Sequence, residues 1–231
     1  MIQLYAIDLN NYKEIGGYTR FFSLLDEERL LRIHSFEFEK DRLVCSLAGL
    51  LLHYISRNCY KMSELETILV YNSQGKPQFK NSPFHFSISH SGNWLLCAWS
   101  NQLVGIDVEK VEVIPDYLDI AKQFFHPCEY ENLKQKNPAK QLQDFYKLWT
   151  AKESYIKYSG EGLSCPLSSF FIDEDSYGFF LSERPLPRFY SGWLDSEHPY
   201  TVYSDEQIEN DSFVFLSESA FSSGLEEHLK Q

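Results

Sequence analysis

Apolar positions recur at helical spacing over residues 39–58, where Leu43, Val44, Leu47, Leu50, Leu51, Tyr54 and Ile55 fall on one side of a 3.6-residue repeat. A second helical stripe runs through 139–158, with Leu142, Phe145, Trp149 and Ile156 on one side. Shorter helices are predicted at 23–34, starting near Ser23 or Asp26, and at 116–125 and 128–135. Strands are predicted at 1–9, 67–71, 84–88, 94–99 and 104–109, and again at 168–173, 178–182, 188–194, 199–203 and 212–218. Polar turns Asn72–Pro77 and Ser89–Asn93 separate them. The short connections make 84–109 a three-strand antiparallel meander. Each half thus offers helices and a small antiparallel sheet, which is an α+β pattern. No Pro/Gly/Ser-rich linker parts the halves. The expected lobes are 1–103 and 104–231, joined closely, with a cleft between them.

Within this pattern three acids stand in apolar company. In Leu103-Val104-Gly105-Ile106-Asp107-Val108-Glu109, strand alternation puts Asp107 and Glu109 on one face and Val104, Ile106 and Val108 on the other. In Trp149-Thr150-Ala151-Lys152-Glu153-Ser154-Tyr155-Ile156-Lys157, Glu153 falls on the apolar stripe, with Lys157 one turn later at the spacing that favours a Glu–Lys contact. Alternation of this kind most often marks a strand with one face in water, and Glu153 could simply pair with Lys157 where the stripe ends. Buried carboxylates, however, need a cation or strong donors. Together the three fit a hard cation that keeps waters and uses phosphate oxygens, as magnesium does. Anion partners are offered by Lys76 in its turn, by Ser89 and His90 at a strand end, and by Arg29 and Arg32 on one helix face. There is no G-x-S-x-G, P-loop or G-x-G-x-x-G motif.

Composition narrows the class. The 231 residues carry 21 basic and 33 acidic side chains, a formal net charge of −12, which disfavours nonspecific nucleic-acid binding. No apolar run approaches the ~20 residues that span a bilayer, and the N-terminus reads as a strand rather than a signal, so no membrane role is expected. Five cysteines without a C-x-x-C pair read as reduced, mostly packing thiols of a cytoplasmic protein.

Gly105-Ile106-Asp107-Val108-Glu109, followed some forty residues on by Trp149–Lys157, resembles the paired signature of the 4′-phosphopantetheinyl transferases. Phe86–Trp94 and Gly160-Glu161-Gly162-Leu163-Ser164 resemble the surfactin-synthetase-activating (Sfp-like) subgroup of that family, and the likeness runs from about Arg29 to Phe170. The resemblance implies a monomer of two similar lobes related by a pseudo-two-fold axis, with coenzyme A as substrate in the cleft. It implies transfer of the phosphopantetheine arm to a serine of an apo acyl or peptidyl carrier protein, releasing adenosine 3′,5′-bisphosphate. Residue by residue, it implies Mg²⁺ on Asp107, Glu109 and Glu153, phosphate contacts from Lys157, Ser89, His90, Arg29 and Arg32, and Lys76 near the adenine. It also implies Glu129 as general base toward the carrier serine. Where the family often has an arginine in the first long helix, this chain has Val44-Cys45-Ser46, so weaker discrimination against dephospho-coenzyme A is expected. An apolar carrier-docking patch is expected between Val111 and Phe125, on Val113, Ile114, Tyr117 and Leu118. The competing readings are a non-catalytic coenzyme A or carrier-binding protein and an unrelated metal-dependent phosphohydrolase.

Overall fold

A computed structural model describes residues 2–12, 14–175, 178–181, 189–206 and 213–229. The predicted strands at 178–182, 188–194 and 212–218 each reach at one end beyond the described residues. In chain order the elements are β1 (Gln3–Asp8), α1 (Glu27–Ser35), α2 (Glu39–Tyr54), β2 (Leu69–Tyr71), β3 (Pro77–Phe79), β4 (His85–Ser91), β5 (Trp94–Ser100) and β6 (Val104–Val108). There follow α3 (Tyr117–Phe124), α4 (Pro127–Gln135), α5 (Pro138–Ser159), β7 (Ile172–Asp175), β8 (Gly178–Leu181), β9 (Phe189–Trp193), β10 (Pro199–Ser204), β11 (Phe213–Phe215) and α6 (Glu218–Leu229). The class is α+β, with small sheets and packed helices, as the sequence pattern predicts.

The helix ends follow local chemistry. Asp26 caps α1 by accepting the Arg29 amide at 2.9 Å. His126 and Glu129 form a capping box at the start of α4, with Pro127 as its first residue. α5 starts at Asn137 and Pro138 and stops at Gly160, whose φ of 74° is the left-handed conformation that suits a glycine after a helix. Beyond α2, Ile55–Cys59 continue as one wide π-helical turn.

Two sheets lie face to face, with helices outside both. One has the order β11-β1-β5-β4 and the other β6-β10-β9. Their inner faces share a core of Leu4, Ala6, Leu96 and Ala98 from the first sheet and Val104, Ile106, Val108 and Val202 from the second. The outer face of the first sheet, through Tyr5, Ile7, Leu95 and Trp99, packs on α2 and α6. The outer side of the second packs on α3, α4 and α5 around Phe125, Phe145, Tyr146 and Tyr203. Among the described residues no helix is long and apolar enough to cross a membrane.

Three expectations change. β6 is not the third strand of a meander: both edges of β5 are already taken, by β1 and β4, so β6 pairs with β10 in the second sheet. The expected turn at Ser89–Asn93 is strand as far as Ser91, because Ser89 and Ser91 face another strand, while His90 between them is exposed. The C-terminal segment returns to the first half: β11 pairs in parallel with β1, and Phe221 and Leu225 of α6 join the core around α2. The helix over 218–229 was not predicted. Of the five cysteines, all free, only Cys45 and Cys97 are buried.

Candidate active site

Where the two sheets meet, β4 and β6 run side by side. β6 is buried along its whole length, one face on the shared core and the other against α5. That second contact is unusually close. A Cβ at Gly105 would collide with the Ser154 carbonyl oxygen and come within 2.5 Å of the Tyr158 amide nitrogen, so only glycine lets α5 cross the strand at backbone distance. The crossing sets Glu153 and Lys157 of α5 opposite Asp107 and Glu109 of β6.

The acids are held by specific partners. Ser89 donates to Asp107 Oδ1 at 2.8 Å and Ser91 donates to Glu109 Oε2 at 2.8 Å. The Lys157 ammonium bridges the two strands, 2.7 Å from Asp107 Oδ1 and 2.9 Å from Ser89 Oγ. The expected Glu153–Lys157 pair along the helix is thus replaced by a pair across the seam. Asp107 is 3% exposed and its Oδ2 is buried without a hydrogen-bond partner. Burial, and then the neighbouring Asp107 charge, raises the Glu109 carboxyl to about 7, and the same two causes raise Glu153.

A cavity of about 690 Å³ opens on this cluster and is lined by Arg29, Arg32, Ser89, His90, Asp107, Glu109, Glu153 and Lys157. A second, of about 340 Å³, shares Arg32, Glu153 and Lys157 with it and adds Lys76 and Gly75. Lys76 donates to the carbonyl of Lys157, and its burial, with the Lys157 charge beside it, lowers it to about 8. Arg29 is 7% exposed; its Nη1 touches Cys45 Sγ at 3.9 Å and its Nε is buried with no partner. A buried guanidinium with an idle donor suits an anion. The departure at Val44-Cys45 is therefore real in space as well, since both line the cavity, but Arg29 approaches the same place from α1.

Among the described residues no three His, Cys, Asp or Glu side chains stand close enough to enclose a metal ion as they are placed. The donor chemistry nevertheless fits a hard cation: oxygen ligands only, in excess over the one lysine that balances them, with an unengaged buried Asp107 oxygen among them.

Glu129 is the predicted site residue that lines neither of these two cavities. It sits in α4, 2% exposed, 2.8 Å from Lys152, and accepts the amides of His126 at 2.8 Å and Ile172 at 2.7 Å. Its carboxylate already has three donors and borders a different cavity, of about 300 Å³, lined by Lys136, Lys147 and Ile172 rather than by the β6 acids. Its partner Lys152 is 0% exposed and also donates to the carbonyls of Leu167 and Phe170 at 2.7 and 2.9 Å. Burial presses against charge on both, lowering Lys152 and raising Glu129; the contact itself and the two amide donors oppose it.

Sequence reasoning missed Ser87 and Ser91 beside Ser89, although three serines at alternate positions between Phe86 and Gly92 carry a period of two. In the expected docking patch, Val113 is 88% and Phe124 44% exposed. Ile114, Tyr117 and Leu118 instead pack partly on the second core.

Residues 103–212 match the family model described as "4′-phosphopantetheinyl transferase superfamily", and residues 15–102 match one described as "4′-phosphopantetheinyl transferase, N-terminal". A 4′-phosphopantetheinyl transferase of Bacillus subtilis is 33% identical over 185 residues, which are 80% of this chain and 82% of the relative. The 4′-phosphopantetheinyl transferase Sfp of Bacillus subtilis strain 168 is 38% identical over 172 residues, 74% of this chain and 76% of Sfp. The transferase gsp of Aneurinibacillus migulanus is 40% identical over 138 residues, 60% of this chain and 53% of gsp.

Proposed function

The chain belongs to the 4′-phosphopantetheinyl transferases, and from that premise we propose that it moves the phosphopantetheine arm of coenzyme A to a serine hydroxyl of an apo carrier protein with the help of Mg²⁺, releasing adenosine 3′,5′-bisphosphate. The observation that carries this reading is the convergence of β6 acids with Glu153 and Lys157 in a cavity that also holds Arg29, Arg32, Ser89 and His90.

Asp107, Glu109 and Glu153 are the residues that would hold the ion. Bound there it would draw off negative charge from the pyrophosphate. Lys157 lines the cavity beside the acids, so its ammonium can follow the charge that grows on the leaving phosphate. Arg29, with its idle Nε, Arg32 and His90 offer donors to the terminal phosphate of the nucleotide; Ser89 sits at the pyrophosphate end, and Lys76 beside the adenine. Glu153 borders both cavities, so it, rather than Glu129, is the acid placed to take the serine proton. Val113 and Phe124 are the apolar side chains offered to the carrier. The division into lobes near residue 103 is supported by the two family matches, which meet at 102 and 103.

The direct test is to incubate the protein with coenzyme A, Mg²⁺ and an apo carrier and weigh the carrier. A gain of one phosphopantetheine arm is expected. An unmodified carrier beside bound coenzyme A would favour a binding protein, and released phosphate without a carrier adduct a phosphohydrolase.

A further inference from the structure

We propose that Ser91 is a positioning residue for the Glu109 carboxylate, and that Ser87, Ser89 and Ser91 together form a side-chain joint fixing β4 against β6. The second part stands on geometry alone; the first rests on the reading above, in which Glu109 holds a metal.

β6 is an edge strand of its sheet. Its odd-numbered neighbours turn their amides toward the β10 side, as the bonds from Glu109 to the Pro199 carbonyl (3.2 Å) and from Val111 to the Glu197 carbonyl (2.8 Å) continue to do past the strand end. The amides of Ile106, Val108 and Lys110 therefore face outward, where a buried strand edge would leave them unpaired. Each is taken by a serine of β4: Ile106 N donates to Ser87 Oγ at 3.1 Å, Val108 N to Ser89 Oγ at 3.4 Å and Lys110 N to Ser91 Oγ at 2.9 Å. Serines two apart share a strand face, and each step of two on β4 meets a step of two on β6, so the three bonds fix one register.

A hydroxyl that accepts an amide still has its own proton to give. Ser91 gives it to Glu109 Oε2 at 2.8 Å, and Ser89 gives it to Asp107 Oδ1 at 2.8 Å. Ser87 accepts from Ile106 but holds no carboxylate. The ladder therefore contains its own control. Ser87 reports the joint alone, whereas Ser91 combines the joint with the aim of a carboxylate. Ser89 contacts Lys157 as well and is the least informative rung to alter.

The test compares Ser87→Ala, Ser91→Ala and Ser91→Thr with the unaltered protein. In metal-free protein, hydrogen exchange should speed roughly tenfold at the Ile106 amide in Ser87→Ala and at the Lys110 amide in Ser91→Ala, the effect of losing one buried hydrogen bond. The magnesium concentration giving half-maximal transfer should rise roughly tenfold in Ser91→Ala, with KM for coenzyme A nearly unchanged, as for other partners that orient a metal ligand. Ser87→Ala should leave that midpoint in place, and Ser91→Thr should restore it. If Ser91→Ala does not fold, Ser91→Cys, similar in size and far weaker as a donor, is read the same way. Unchanged exchange at Ile106 and Lys110 would overturn the joint. A magnesium midpoint that moves equally in Ser87→Ala and Ser91→Ala, or in neither, would overturn the role of Ser91. Transfer by the unaltered protein that needs no divalent ion would overturn the reading beneath it as well, while leaving the exchange result to stand.

Discussion

Lys152 and Glu153 are adjacent on α5, and they turn into different interiors, the lysine toward opposite charge and the glutamate toward like charge. Lys152 meets one acid, Glu129, and two backbone carbonyls, and its ammonium is fully enclosed. Glu153 meets two more acids, Asp107 and Glu109, with Lys157 as the nearby cation. The first site has matched charges and filled hydrogen bonds, and it ties α4 and the 167–172 segment to the helix. The second sets three acids against a single lysine at contact distance and keeps an open cavity over them, which Arg29 and Arg32 also line. Identical residue types thus become scaffold or chemistry according to whether their neighbours complete them.

The largest effect should come from opening the matched pair. Glu129→Gln or Lys152→Met alone should cost about 3–5 kcal/mol in urea unfolding, because the remaining charge is stranded in the interior. Replacing both together, Glu129→Leu with Lys152→Met, should recover much of that loss and keep transfer activity. A stable Glu129→Gln protein that binds coenzyme A but cannot transfer would break the comparison, by moving Glu129 to the chemical side.

The unmatched site should behave in the opposite way. Asp107→Asn should lower kcat/KM by roughly a hundredfold or more, as losses of groups that stabilise developing charge do. Unfolding free energy should move by no more than ~1 kcal/mol, since one of three repelling acids has gone. Equal losses of both would mean that the acids serve packing.

A smaller effect sharpens the point through pH. The Glu109 carboxyl is raised to about 7 in the fold, against an ordinary value near 4.5. The folded chain therefore keeps a proton that the unfolded chain releases, and ionisation destabilises the fold progressively as pH rises from 4.5 through 7. In metal-free protein, Glu109→Gln should match the parent at pH 4.5 and exceed it above pH 7, by on the order of 2 kcal/mol given the partial exposure of the site. Taking the difference between the two proteins removes the opposing contribution of His53, which burial lowers to about 4. A parent that is the more stable above pH 7 would contradict the crowding of acids. The mildest change is at the surface: Val113→Asp with Phe124→Asp should raise KM for the carrier about fivefold, leave KM for coenzyme A alone, and alter stability by less than ~0.5 kcal/mol. Unchanged carrier KM would move the docking surface elsewhere.

Much of this arrangement is legible in the chain. The stripe through Leu142, Phe145, Trp149 and Ile156 announces α5, and strand alternation separates Asp107 and Glu109 from the valines and isoleucine beneath them, because both signals are local and periodic. What the sequence hides is relational. That β6 leaves the meander depends on β1, almost a hundred residues earlier, having filled the free edge of β5. Ser89 and Ser91 look like part of a turn because polar residues usually face water, and here they face the outward amides of another strand. Glu129 looks available until its contact with Lys152 is seen, and Leu118 looks surface-exposed until α3 is packed on the second core.

The central claim is that the acids of β6 and α5 form one cation site completed by coenzyme A. Manganese can stand in for magnesium, and its free-ion paramagnetic resonance signal falls as it binds. Titrated into the protein with coenzyme A present, it should show one bound ion, and Asp107→Asn should weaken that binding roughly tenfold or more. Equal manganese binding by Asp107→Asn and the unaltered protein would contradict the account.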